Sequence, residues 1–167
     1  MAGVNRRLYV LRHAKSSWDD PGLSDHDRTL APRGLKATKL LAKHLREHEI
    51  QPALVLCSTA VRARETLDGI GLDGKRSIEE ELYTASAGEW IARLNRVPDE
   101  TESVMAIGHN PALQQLVLAL AGSDPEVERK FPTAALATLA LECAWSEVQP
   151  GCAELSELVR PKDLDNV

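Results

Sequence analysis

The sequence predicts a three-layer α/β/α domain on a mainly parallel central sheet. Short, unbroken apolar runs at residues 8–11, 54–56 and 104–107 have the pattern of strands covered on both faces. Between them, apolar residues recur at helical spacing, and strand and helix patterns that alternate argue for parallel pairing. Each run also ends in reactive or charged residues: Arg12-His13, Cys57-Ser58 with Arg62 beyond, and Gly108-His109.

The first run is followed by a polar stretch from Lys15 to Arg28, expected as a long loop on the side of the site. Pro32 suits the first position of a helix, although Ala31 is a poor cap. Its stripe is Ala37, Leu40, Leu41, His44 and Leu45, with Lys36, Lys39, Lys43 and Arg46 outside. Gln51-Pro52 breaks to a second strand at 53–57, and Ser58 or Thr59 is expected to cap a helix to about Leu67, with Arg62 in its first turn.

Residues 69–75 read as a loop, Ser77-Ile78 as a short edge strand, and Trp90, Ile91 and Leu94 as a small amphipathic helix. The third strand spans 103–108. Asn110 as cap and Pro111 at the first position start a helix with the stripe Leu113, Leu116, Val117 and Leu120, so His109 stands beside a helix N-terminus. Residues 134–141 and 153–159 suit two last strands, a hairpin through Gln149-Pro150-Gly151.

A chain of 167 residues is expected to form one domain with its own core. Hydrophobic residues at 43% and charged residues at 27% are ordinary globular values, and a net charge of -5 argues against a general nucleic-acid binder. Any anion site must therefore be local. The opening apolar run is too short for a signal peptide or a membrane span, so a cytoplasmic protein without a membrane partner is expected. Cys57, Cys143 and Cys152 form no CxxC pair and leave an odd thiol, which fits a reducing compartment. A monomer is expected.

Open α/β sheets bind ligands beyond the carboxyl ends of their strands. If the three runs are neighbours, Arg12, His13, Arg62 and His109 meet at one edge, and the cluster reads as a pocket for a phosphoryl group. Each arginine offers a planar fork of donors to phosphate oxygens and keeps its charge. A neutral histidine can attack phosphorus in line, while a second one holds the equatorial oxygens.

Leu11-Arg12-His13-Ala14 is similar to the RHG or RHA motif of the histidine phosphatase superfamily. Ser58-Thr59-Ala60-Val61-Arg62-Ala63-Arg64-Glu65-Thr66 resembles the family's S-x-x-x-R-A-x-x-T segment, and Gly108-His109-Asn110-Pro111 its second-histidine motif. The RHAKSSW opening, Arg28-Thr29-Leu30 before Gly34, and Phe131-Pro132-Thr133-Ala134 resemble the SixA-type phosphohistidine phosphatases. The resemblance implies a phosphoglycerate-mutase-like fold and a phosphohistidine intermediate on His13, with Arg12, Arg62 and His109 binding the transferred group. It also implies no metal and no organic cofactor. The implied partner is a histidine-phosphorylated protein of the phosphotransfer or phosphorelay type. The alternatives are a small phosphorylated substrate, or a noncatalytic module that binds phosphate or phosphoproteins.

Other branches carry a general acid in a segment resembling L-x-E, and here Ile78-Glu79-Glu80-Glu81-Leu82 offers Glu81 in that place or as part of a solvated acidic run. A phosphohistidine leaves as imidazole, which can be protonated before departure, so it needs less help from such an acid than an alkoxide does. Arg28, Ser16 and Thr133 are candidates for phosphate or substrate contact, or for anchoring their own loops.

Three further patterns compete with this reading. His44-Leu45-Arg46-Glu47-His48 fits the H-x-x-E-H zinc helix but lacks a third ligand in context. Cys57 and Arg62 are separated by four residues, where the cysteine phosphatase loop has five, so Cys57 reads as a small buried hydrophobe. Gly69-Ile70-Gly71-Leu72-Asp73-Gly74 spells G-x-G-x-x-G, but it follows a helix, and Arg76 stands where a P-loop needs Ser or Thr.

Overall fold

Six strands form in the computed structural model, which describes residues 5–165: β1 (Arg6–Arg12), β2 (Leu54–Ser58), β3 (Lys75–Glu79), β4 (Ser103–Gly108), β5 (Leu136–Leu141) and β6 (Ala153–Val159). They make one sheet in the order β3-β2-β4-β1-β5-β6. The four strands from β3 to β1 are parallel, whereas β5 runs antiparallel to β1 and β6 antiparallel to β5. The central sheet is thus mainly parallel, with helices packed on both faces, as the expected three-layer α/β/α arrangement has it. β4 lies between β1 and β2, with Arg12 opposite Gly108 and Cys57 opposite Ile107, so the carboxyl ends of all three strands reach one edge.

The helices are α1 (Pro32–Glu47), α2 (Val61–Ile70), α3 (Ala87–Leu94), α4 (Ala112–Ala121), α5 (Pro125–Arg129) and α6 (Pro161–Leu164). Side chains alternate across a strand, so each central strand feeds two cores. Leu8, Val10, Leu56, Val104 and Ala106 pack with Trp90 and Leu94 of α3 and with Leu113, Leu116, Val117 and Leu120 of α4. On the other face Tyr9, Leu11, Val55, Met105 and Ile107 pack with Leu41 and Leu45 of α1 and Leu67 of α2. Each fully buried aliphatic side chain contributes roughly 1.5–3 kcal/mol, which explains why the strand runs are apolar throughout.

The helix starts differ from expectation. Neither Ser58 nor Thr59 caps α2, whose cap position is Ala60. The Ser58 hydroxyl instead accepts from the Ala60 N–H at 3.1 Å, and Thr59 bonds the His26 ring. α2 runs on past Leu67 to Ile70 and stops at Gly71, whose φ of 67° is the left-handed end that glycine tolerates, so the loop shrinks to 71–74. Asn110 lies one residue before the α4 cap, which is Pro111, and still serves the first turn by accepting from the Gln114 N–H at 3.2 Å.

Leu40 is half-buried at the margin of its stripe. β5 begins at Leu136 rather than residue 134, and its link to β6 carries a 3-10 turn at Trp145–Glu147. Among the described residues no helix is long and apolar enough to cross a membrane.

Candidate active site

Arg12 is the last residue of β1, Ser58 the last of β2, and His109 follows β4, so backbone register alone assembles the edge. The His13 N–H donates to the Gly108 carbonyl at 3.0 Å, and the Ala134 N–H reaches the carbonyls of both Arg12 and His13 at 3.0 Å. Ala134 takes φ 62° to do so, a left-handed conformation that costs a residue with a Cβ about 1 kcal/mol. Gly108 is favoured for a different reason: a Cβ there would lie 3.0 Å from the Trp90 ring, a tight contact.

His13 and His109 lie with ring centroids 5.1 Å apart, beside Arg12 and Arg62, in one pocket of about 250 Å³. His13 is 7% exposed. Its Nδ1 donates to the Ala14 carbonyl at 2.7 Å, which puts the ring proton on Nδ1 and leaves the lone pair on Nε2. Burial, then the positive surroundings of His109, Arg62 and Arg12, push its pKa down to about 3, so the ring is neutral at pH 7. Such an imidazole can attack phosphorus.

His109 shares a hydrogen bond of 2.8 Å between its Nε2 and the Ser58 hydroxyl. Since Ser58 Oγ already accepts from Ala60, its own proton is free to point at Nε2, which places the His109 proton on Nδ1. Burial first and Arg62 second push the His109 pKa down to about 4. His109 Nδ1 and Arg12 Nε are buried with no partner among the described residues, and phosphoryl oxygens are acceptors of the kind such donors need. Arg12 is otherwise held by a bond from Nη1 to the Phe131 carbonyl at 3.1 Å.

Arg62 directs Nε toward His13 Nε2 at 3.4 Å, while Nη1 and Nη2 bind the backbone carbonyl and the carboxylate of Asp25 at 2.7 and 3.1 Å. The Asp25 carboxyl is held far below the usual range, first by the Tyr83 hydroxyl at 2.5 Å and then by Arg62 and Arg28. Tyr83 also packs edge-on against His109 and His26, with centroids 5.5 and 4.8 Å away. Sequence reasoning missed Asp25 and Tyr83. No motif links residues so far apart, and an Asp in a polar loop carries no signal of its own.

Of the other sequence candidates, Arg28, Ser16 and Thr133 all line the pocket. Arg28 donates to the Ser16 hydroxyl, the Ser17 carbonyl and Asp25, and its guanidinium stacks on the Trp18 ring at 3.3 Å, so it anchors the loop while facing the site. Glu81 is not brought to the pocket. It lies on the surface in a 3-10 turn, paired with Arg96 at 2.8 Å, because β3 ends at Glu79 and the chain turns away.

Cys57 is buried and its thiol is pushed up to about 12 by burial, which fits an inert hydrophobe. His44 and His48 stack at 4.1 Å, His48 Nδ1 donates to the His44 carbonyl, and no group of three metal-ligating side chains occurs among the described residues.

The profile of the histidine phosphatase superfamily (branch 1) matches residues 8–97. The chain belongs to the histidine phosphatase superfamily. An uncharacterized protein of Mycobacterium tuberculosis, Rv1276c, is 42% identical over 152 residues that cover 87% of this chain and 96% of the relative. The phosphohistidine phosphatase SixA of Escherichia coli is 29% identical over 143 residues, 81% of this chain and 86% of that one. Among solved structures, a candidate phosphohistidine phosphatase SixA from Nakamurella multipartitia superposes with a TM-score of 0.87 at 30% identity, covering 96% of this chain and 98% of its own. Within the superfamily the chain falls in the SixA-type branch, and its activity class is that of a phosphatase.

Proposed function

We propose that this histidine phosphatase hydrolyses phosphohistidine on a protein. The observation that carries the reading is the make-up of the pocket wall: Arg12, His13, Arg62 and His109 line it, and no Asp or Glu is among its described lining residues. Asp25, the carboxylate that touches Arg62, is held ionised by Tyr83 and two arginines, so it carries no proton to give at neutral pH. A site without a ready acid suits a leaving group that departs already protonated, as imidazole does.

In the proposed cycle Arg12 and Arg62 bind the phosphoryl oxygens, and His13 Nε2 attacks phosphorus in line. The phosphorus–nitrogen bond of the substrate breaks, and the imidazole leaves as a neutral, protonated ring. His109 Nδ1–H donates to an equatorial oxygen as charge redistributes. Water then attacks phospho-His13, releasing phosphate and returning the lone pair to Nε2. The residues supply these steps without a metal or an organic cofactor.

Leaving-group preference tests the reading. Wild type and His13→Ala are incubated with a histidine-phosphorylated protein and, separately, with p-nitrophenyl phosphate, following phosphate release. The expected result is preference for phosphohistidine and loss of activity in the variant. Preference for the ester would move the assignment to small phosphate esters, and phosphate binding without turnover would make the chain a recognition module.

A further inference from the structure

The chain carries a net charge of -5, yet one groove beside the phosphoryl pocket gathers much of its positive charge. The groove has a volume of about 470 Å³ and shares Arg12, Lys15 and Thr133 with the pocket, so the two adjoin across these side chains. Arg33 comes from the first turn of α1, Arg129 and Lys130 from the end of α5, and Arg160 and Lys162 from the junction of β6 and α6. Seven of its eleven lining residues are basic and none is acidic.

The protein pairs part of this charge itself and, among the described residues, leaves three of the cations without a carboxylate. Glu126 pairs with Arg160 at 3.1 Å and lies 4.0 Å from Arg129. Lys15, Arg33 and Lys130 form no ion pair among the described residues. The wall is also built rather than accidental. A Cβ on Gly34 would sit 2.2 Å from the Lys15 carbonyl oxygen, so only glycine lets α1 press against that backbone, which brings Arg33 and Lys15 to one groove. The Arg160 guanidinium donates to the Glu126 carbonyl at 3.3 Å and ties α6 to α5.

Like charges in a concave site repel one another and focus a field that an anion relieves. We propose that this groove is a second anion subsite, which takes a further anionic group of the same substrate whose phosphoryl group meets His13. The position of the subsite rests on the proposed role of the phosphoryl pocket. Its chemistry does not, because the groove volume and charge suit either a second phosphate or a carboxylate flanking the phosphorylated residue. The substrate is therefore a molecule or protein surface bearing two or more anionic groups side by side.

Calorimetric binding of orthophosphate, tripolyphosphate and hexaglutamate, at an ionic strength that screens diffuse attraction, tests the subsite without requiring turnover. The variant is Arg33→Ala/Lys130→Ala. Both side chains are exposed and neither lines the phosphoryl pocket. Wild type should bind tripolyphosphate at least tenfold more tightly than orthophosphate, and the variant should lose most of that advantage while binding orthophosphate within twofold of wild type.

If hexaglutamate binds the wild type and this too is lost in the variant, the second group is a carboxylate of a protein partner. If only tripolyphosphate does so, it is a phosphate. Equal affinity for orthophosphate and tripolyphosphate, or an advantage that survives the double substitution, would overturn the subsite. Because binding is read directly, absence of phosphohistidine hydrolysis would count against the proposed function alone.

Discussion

Arg62 Nε donates to His13 Nε2 across 3.4 Å, so a guanidinium suited to clamp a phosphoryl group also holds the lone pair suited to attack it. The remaining nitrogens of Arg62 are fixed on Asp25, which fixes the direction of that contact. A lysine keeps the charge at this position but cannot bridge Asp25 and His13 with a rigid fork. Arg62→Lys should lower kcat/KM for phosphohistidine by about 10²–10³-fold, comparable to loss of one donor to transition-state charge. Steady-state kinetics on the folded variant checks this, and a change under threefold would remove Arg62 from the clamp.

Ser58 holds His109 through its hydroxyl at 2.8 Å and is itself held by the Ala60 N–H. Removing the hydroxyl frees the His109 ring to take either tautomer and leaves buried groups unpaired, at about 1–3 kcal/mol of stability. Ser58→Ala should reduce kcat by roughly 10–100-fold with a smaller effect on KM, as expected for a donor felt mainly in the transition state. An unchanged kcat would show that Ser58 does not set the His109 proton.

His13 and His109 have pKa values of about 3 and 4 instead of the ordinary 6.5, with burial as the main cause in both. The unfolded chain therefore takes up protons near pH 6.5 that the folded chain refuses. Stability from this source is complete above about 6.5 and falls as pH drops from there, down to about 4 for His109 and about 3 for His13, by up to about 1.4 kcal/mol per pH unit for each ring. Proton NMR of the histidine rings, assigned by His13→Ala and His109→Ala, should show both rings still neutral at pH 5.5. Midpoints near 6.5 for either ring would contradict the buried geometry.

Glu81 pairs with Arg96 on the surface, away from the phosphoryl pocket, and exposed pairs of this kind contribute about 0–1 kcal/mol. Glu81→Gln should leave hydrolysis of both phosphohistidine and p-nitrophenyl phosphate within twofold of wild type. A strong loss confined to the ester would make Glu81 an acid after all, reached through a conformation that differs from this one.

Gly108 passes against the Trp90 ring, where a Cβ would stand at 3.0 Å. Trp90 is fully buried and cannot retreat freely, so Gly108→Ala should cost about 1–3 kcal/mol. It should also displace His109, lowering activity at temperatures where the protein remains folded. Denaturant melts paired with activity at 25 °C separate the two effects.

The strands were legible because burial on both faces writes them as unbroken apolar runs, and the residues after β1 and β4 then fell at one edge. Strand order was not legible, since nothing in the run at 104–107 tells that it inserts between the other two. The cap of α2 was misread because Ser58 spends its hydroxyl on His109 and on the Ala60 N–H. The short helix α5 had a readable start in Asp124-Pro125, where Asp124 accepts from the N–H groups of Glu126 and Val127. Asp25 and Tyr83 gain meaning only by meeting Arg62, and the basic groove only by joining separate segments whose lysines and arginines look like ordinary surface one at a time.

The central claim is that His13 carries the phosphoryl group during turnover. Acid-sparing rapid quench with a substrate labelled at phosphorus, followed by peptide mapping, tests it most directly. Label should appear within the first turnover on the peptide bearing His13, be lost on mild acid treatment as a phosphoramidate is, and be absent from His13→Ala. Phosphate release at the wild-type rate with no label on His13 at any quench time, or undiminished turnover by His13→Ala, would contradict it.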